Sequence, residues 1–116
     1  MNGYKNFMLI FRFTPQFDSQ PSEEDLAAQR QKWGAFIGNI ALSEKLVSTH
    51  RLGFSGKKIS SDLSVSDEIL RTESQILSGN MVVKAKTIEE ATELGKGCPI
   101  LGMGGTVEVR EILPMS

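Results

Sequence analysis

The sequence predicts an α+β domain, a ferredoxin-like split βαβ sandwich with an antiparallel sheet and both helices on one face. Three observations predict it. Apolar residues alternate at period two over Thr106–Ile112, the repeat of a pleated strand, Asn6–Phe13 is a short apolar run with both faces filled, and Met81–Lys86 reads as a further strand. Helical spacing begins after Ser22 and again after Thr87, each a hydroxyl residue with an acid three positions on. The elements then run strand, helix, strand, short strand, strand, helix, strand, which makes two strand–helix–strand halves. A chain of 116 residues fits one domain, 1–116.

Each element follows from its residues. In the first strand Phe7, Leu9, Phe11 and Phe13 share one face, and Met8 and Ile10 the other. A strand apolar on both faces belongs inside a sheet covered on both sides. Thr14–Pro21 is a polar connection. Ser22 opens the first helix: its hydroxyl accepts from the Asp25 amide, the Asp25 carboxylate reaches back, and Glu23, Glu24 and Asp25 complement the positive helix end. Leu26, Trp33, Ile37 and Ile40 form the stripe expected to be buried. Gly34 and Gly38 interrupt it at up to about 1 kcal/mol each, and read as points of close approach to the sheet. This helix ends near Ser43–Lys45.

Leu46–Phe54 contains a short strand, Ser55–Gly56 a turn, and Lys57–Ser60 a return strand. Ser61–Ser78 reads as loop, with a helical turn within Glu68–Leu77, and Gly79 closes it. Met81–Lys86 is the next strand. Thr87 and Glu90 make a second capping box, Ile88, Ala91, Leu94 and Cys98 share one helix face, and Gly97 and Pro99 end the helix. Ile100–Gly105 is rich in turns. The last strand, Thr106–Ile112, has Val107 and Val109 on one face and Glu108 and Arg110 on the other. With both helices on one side of the sheet, the opposite face is a largely apolar patch. A face-to-face homodimer is its natural cover.

Composition excludes several classes. Net charge is -1 and the basic residues are scattered, unlike the clustered Lys and Arg that hold a phosphate backbone, so no nucleic-acid partner is expected. One cysteine makes neither an internal disulfide nor a zinc set, and a reducing, cytoplasmic setting fits, as a disulfide-free secreted chain also would. The opening MNGYKNFMLIFRF carries Arg12 within its apolar run and reads as a strand rather than a signal peptide. No apolar run approaches the ~20 residues that cross a bilayer, so no membrane partner is expected. No cofactor or metal is expected: Glu23–Glu24–Asp25 and Glu89–Glu90 are explained as first-turn acids of two helices.

Few side chains invite chemistry. His50 is the one histidine and the best acid–base candidate, with Asp67 or Glu73 as carboxylates that folding would have to bring to it. Its competing reading is an ordinary, partly exposed strand residue. Cys98 falls at a helix C-terminus and on the apolar face, both of which oppose a thiolate, so a buried inert thiol is expected. Gly102–Gly105 follows a helix and precedes a strand, the reverse of a phosphate loop, and reads as a turn. Arg12 interrupts an apolar face. Either it lies at the solvent end of its strand, or it is held by Glu108 or a bound anion. Arg12, His50, Asp67 and Arg110 together form the candidate small-molecule site at the dimer face.

The order of short motifs resembles the YCII-related family, in its DGPF-like branch. Phe7–Met8–Leu9–Ile10 is similar to the opening strand, Leu77 and Gly79 to the L and second G of an LGG segment, and Ile88–Glu89–Glu90–Ala91 to the start of its acidic helix. Cys98–Pro99 matches the helix end and Val107–Glu108–Val109–Arg110 the final strand. The similarity spans nearly the whole chain and lies in order and spacing rather than in any one motif. Of DGPF only Asp67 remains, followed by Glu68–Ile69–Leu70, and Thr72, Ser74 and Gln75 stand where acidic and lysine positions are expected. The resemblance implies a dimeric α/β barrel. It also implies a His–Asp dyad in the enzyme-like branch, with the histidine early in the first helix and the aspartate before the proline. Here the first helix has no histidine, and Cys98 precedes Pro99. The expectation is a homodimeric protein without that dyad, binding a small ligand or a protein partner. The branch's link to extracytoplasmic-function sigma factors implies a regulatory accessory role. The competing expectation is an enzyme acting on a small organic acid or lactone-like substrate through His50.

Overall fold

The computed structural model describes residues 3–14, 22–72 and 74–115. Along them run β1 (Lys5–Phe13), α1 (Glu23–Leu42), β2 (Leu46–Arg51), β3 (Lys58–Ile59), β4 (Val65–Ser66), β5 (Arg71–Thr72), β6 (Gln75–Ala85), α2 (Ile88–Gly95) and β7 (Thr106–Glu111), with a 3₁₀ turn at Pro99–Met103. The main sheet is antiparallel in the order β2-β6-β1-β7, and β5 pairs with the start of β6. β3 and β4 form a separate ribbon. This is an α+β fold, and its element and strand order are compatible with a ferredoxin-like arrangement. Among the described residues no helix is long and apolar enough to cross a membrane. The connection at 15–21 and Glu73 lie outside the described residues.

The core lies between the sheet and the two helices. Phe7, Leu9 and Phe11 of β1 are at most 3% exposed, and with Met81, Val83 and Ala85 of β6 they meet Phe36 and Ile40 of α1 and Ala91 of α2. Each fully buried side chain of this size contributes roughly 1.5–3 kcal/mol. An edge-to-face contact of Trp33 with Phe11, at 5.5 Å between ring centroids, ties α1 to the sheet, and Trp33 also meets Phe36 of its own helix edge to face at 6.0 Å. On the other side α2 comes so close that a Cβ on Gly95 would lie 3.3 Å from Val107 and 3.6 Å from Leu9.

Both helix starts are capped, one of them differently from expectation. Ser22 and Asp25 form the reciprocal box: the Asp25 amide donates to Ser22 Oγ at 3.1 Å, and the Ser22 amide donates to Asp25 Oδ2 at 3.4 Å. At α2 only half of it forms. The Glu90 amide donates to Thr87 Oγ1 at 3.1 Å, but the Glu90 carboxylate is taken by Lys45 at 2.9 Å. That hydrogen bond from Lys45 lowers the Glu90 pKa below its ordinary value.

The buried stripe of α1 also differs. Phe36 and Ile40 are buried and Trp33 and Ile37 pack partly against the core, whereas Leu26 is 44% exposed, in a first turn short of that packing. Among the described residues Gly34 and Gly38 are not points of close approach, because a Cβ at either meets nothing within 4 Å there. In α2, Ala91 is buried but Ile88 is 44% exposed.

The largest difference lies in 57–80. The return strand does not pair back to β2, which pairs with β6, but forward with β4. No helical turn forms within the described part of Glu68–Leu77. Instead β5 turns at Ser74 (φ 66°) into β6, which begins at Gln75, six positions before the expected Met81. Pairing with β1, Ile76 to Phe13 and Leu77 to Arg12, supplies the backbone partners that one isolated helical turn would lack. The extra residue Ser78 is absorbed as a bulge at Phe11/Arg12, where its hydroxyl donates to the Phe11 carbonyl at 3.2 Å.

Candidate functional site

The sheet has one covered face and one open face. Met8, Ile10 and Arg12 alternate with the buried Phe7, Leu9 and Phe11, so they point away from the helices. Residues directly opposite in neighbouring strands share a face. The register therefore draws rows across the open side. His50 of β2 faces Asn80 of β6, Asn80 faces Ile10, and Ile10 faces Glu108 of β7. The next row is Ser48, Val82, Met8 and Arg110. Arg12 lies two positions beyond Ile10 and so on the same face, between Leu77 and Thr106.

Three of the four expected site residues, Arg12, His50 and Arg110, thus share this face. The fourth, Asp67, does not join them: it follows β4 in the ribbon and is ion-paired with Lys57. The two readings of Arg12 resolve into one geometry. Its guanidinium remains 30% exposed and donates from Nη1 to Glu108 Oε1 at 2.6 Å. Arg110 approaches the other oxygen of Glu108 at 3.8 Å. One carboxylate is therefore shared by two guanidinium groups, leaving positive charge in excess. The hydrogen bond from Arg12 holds the Glu108 carboxyl below its ordinary value of 4.5, and both arginine charges act in the same direction.

His50 is exposed, and among the described residues its side chain makes no hydrogen bond. Asp67 is occupied by Lys57, and Glu73 lies outside the described residues. The position of His50 is set by its backbone: a Cβ on Gly79 would come within 2.5 Å of the His50 carbonyl, so only glycine there lets β2 lie this close to β6. Beside it, Asn80 Oδ1 is buried with no hydrogen-bond partner among the described residues. A buried acceptor without a donor is costly and invites one.

Asn80 is the site residue that sequence reasoning missed. Ser78–Gly79–Asn80 has the composition of a turn, and asparagine is rare within strands. The signal that would have found it is the apolar run of Asn6–Phe13, which requires a partner longer than the six residues of Met81–Lys86.

Cys98 stands where the family resemblance expects the dyad aspartate. It is 3% exposed within the helix-side core, and burial pushes its thiol up to about 11. It lies on the opposite side of the sheet from the Arg12–His50 face. On that helix side an open groove of about 640 Å³ runs between α1 and the segment after α2, with Phe36 and Ile40 as its floor and Lys32, Lys45 and Glu93 at its rim. None of the expected site residues lines it. Among the described residues no three His, Cys, Asp or Glu side chains converge as metal ligands would. A comparison of the chain with family models finds no match, and a comparison with curated proteins finds none either.

Proposed function

We propose that this chain is a YCII-related, DGPF-like protein without the catalytic dyad. In this reading two copies close their open sheet faces against each other as a dimeric α/β barrel. The enclosed face binds a small acidic or hydroxylated molecule, and the protein serves as a ligand-binding or regulatory accessory component. The observation that carries the reading is the open face itself. Half-buried Met8, Ile10 and Val82 offer an apolar floor. Around it stand the arginine pair sharing Glu108, the Asn80 acceptor without a donor, and the imidazole of His50. An apolar floor with a few converging polar groups is the usual composition of a small-ligand site.

The competing reading makes His50 an acid–base catalyst. A general base is normally oriented by a second group, and His50 has no such partner among the described residues, so binding is favoured over turnover. Size-exclusion chromatography with light scattering tests assembly, and the expected result is a dimer at micromolar concentration. A thermal-shift screen of small carboxylates and hydroxy acids tests binding. At least one compound should raise the melting temperature of the wild type, with the shift lost in Arg110→Ala and reduced in His50→Ala. If no small acid moves the wild-type midpoint, the ligand reading fails.

A further inference from the structure

We infer that the β3–β4 ribbon is a clasp, which lays its apolar face on a second copy of this chain. The inference rests on the homodimer reading above and adds a second surface to it. The ribbon belongs to an arm, residues 52–72, anchored firmly at its base. The Leu52 amide donates to the Ser78 carbonyl at 2.9 Å, Phe54 meets Phe13 at 5.4 Å between ring centroids, and Arg71 and Thr72 of β5 pair with β6; within the arm Lys57 pairs with Asp67. Its turn is closed as well: the Ser60 amide donates to the Ser64 carbonyl at 2.8 Å, and the Ser64 amide donates to Asp62 Oδ1 at 2.9 Å.

An arm so well defined is nevertheless uncovered. Ile59 and Val65 are directly paired, so they share one face, and they are 69% and 60% exposed. Leu63 at the turn is 80% exposed and Leu70 is 70% exposed. The other face carries the Lys58–Ser66 pair. Two residues per strand make a ribbon that is marginal in water unless something packs on it.

Area and charge both select a second copy as the cover. Ile59 and Val65 on the ribbon's face, with Leu63 at its turn and Leu70 beyond it, are each at least 60% exposed and add apolar area to that of the open sheet face. Each partner in a standard stable interface contributes about 800 Å². The arm's charges cancel, Lys57, Lys58 and Arg71 against Asp62, Asp67 and Glu68. A surface with no net charge neither repels its own copy nor offers a field to a strongly charged stranger. The arm also continues the β2–β6 ladder through Leu52, so it leaves the body from the sheet whose open face the dimer covers. In a two-fold pair each arm reaches across to the other subunit, and the contact is made twice.

The test compares dissociation constants of full-length wild type, Leu63→Glu and Ile59→Glu/Val65→Glu by light scattering across a dilution series. Amide exchange over 58–66 is followed in the same series. Both variants should weaken the dimer roughly tenfold or more. Exchange protection of the ribbon should fall as the wild type is diluted. Leu63→Glu leaves the paired strand positions intact, so it separates loss of contact from loss of the ribbon. Variants that dimerise like the wild type, with ribbon protection independent of concentration, would overturn the clasp while leaving the sheet-face dimer standing and the arm to another occupant. A wild type that stays monomeric throughout would overturn both.

Discussion

Glu108 is the residue through which this protein's electrostatics can be read. Its carboxylate is held by the Arg12 hydrogen bond, with Arg110 beside it, and its pKa is lowered from the ordinary 4.5. A carboxyl depressed in the fold adds stability that is complete above its unfolded value and is lost as pH falls through the folded one. Glu108→Gln should therefore lower the thermal midpoint at neutral pH. The gap to wild type should close as the solution is acidified below 4.5. A gap that persists unchanged in acid would mean that packing, not charge, makes the difference. The pairing was legible in the sequence as one of two readings of Arg12, because the two residues lie in strands with matching alternation. Seeing that both readings hold at once required the register. Ile10 faces Glu108 and Arg12 faces Thr106, which leaves the long guanidinium to reach back two positions diagonally. Asp67 lies apart from the other three within one chain for a related reason: sequence neighbours say nothing about which sheet a short strand joins.

At the scale of elements, local chemistry was legible and pairing was not. Ser22 with Asp25 and Thr87 with the Glu90 amide fixed the helix starts as expected, since a cap needs only residues within one turn; the end of α2 was not read as well, for the helix stops at Gly95 and leaves Cys98 and Pro99 to a separate 3₁₀ turn. The long β6 was hidden because Ser78–Gly79–Asn80 resembles a turn, and only the demand of β1 for a partner overrides that preference. The glycines of α1 give a test of the opposite kind. Close approach to the sheet would have made them indispensable, yet a Cβ on either meets none of the described residues within 4 Å. Gly34→Ala and Gly38→Ala should each stabilise the fold, by up to about 1 kcal/mol, through helix propensity and a less flexible unfolded chain. Urea denaturation measures it. A loss of stability in either variant would mean that something beyond the described residues covers α1.

The whole molecule is a thin slab, 45 × 44 × 19 Å, with helices on one side of its sheet and an arm beyond it. The two features the single chain leaves unfinished, the open face and the arm, were unequally visible beforehand. The open face followed from a first strand apolar on both sides, whereas the arm was concealed in Ser- and Asp-rich sequence that reads as loop. The central place of β1 has a consequence for the time course of folding. It is made first, but its neighbours are residues 75–85 and 106–111; Phe7 meets Val83 and Glu111. Nearly every contact that rewards β1 lies far along the chain, so closure entropy is spent before the sheet returns anything. Until then Phe7–Phe11 is a bare apolar segment with high strand preference, free to pair with the same segment of another molecule. Refolding yield after dilution from urea should accordingly fall as protein concentration rises, even where the native state is fully stable. A yield independent of concentration would show that β1 is sheltered early, by contacts formed before its partners arrive.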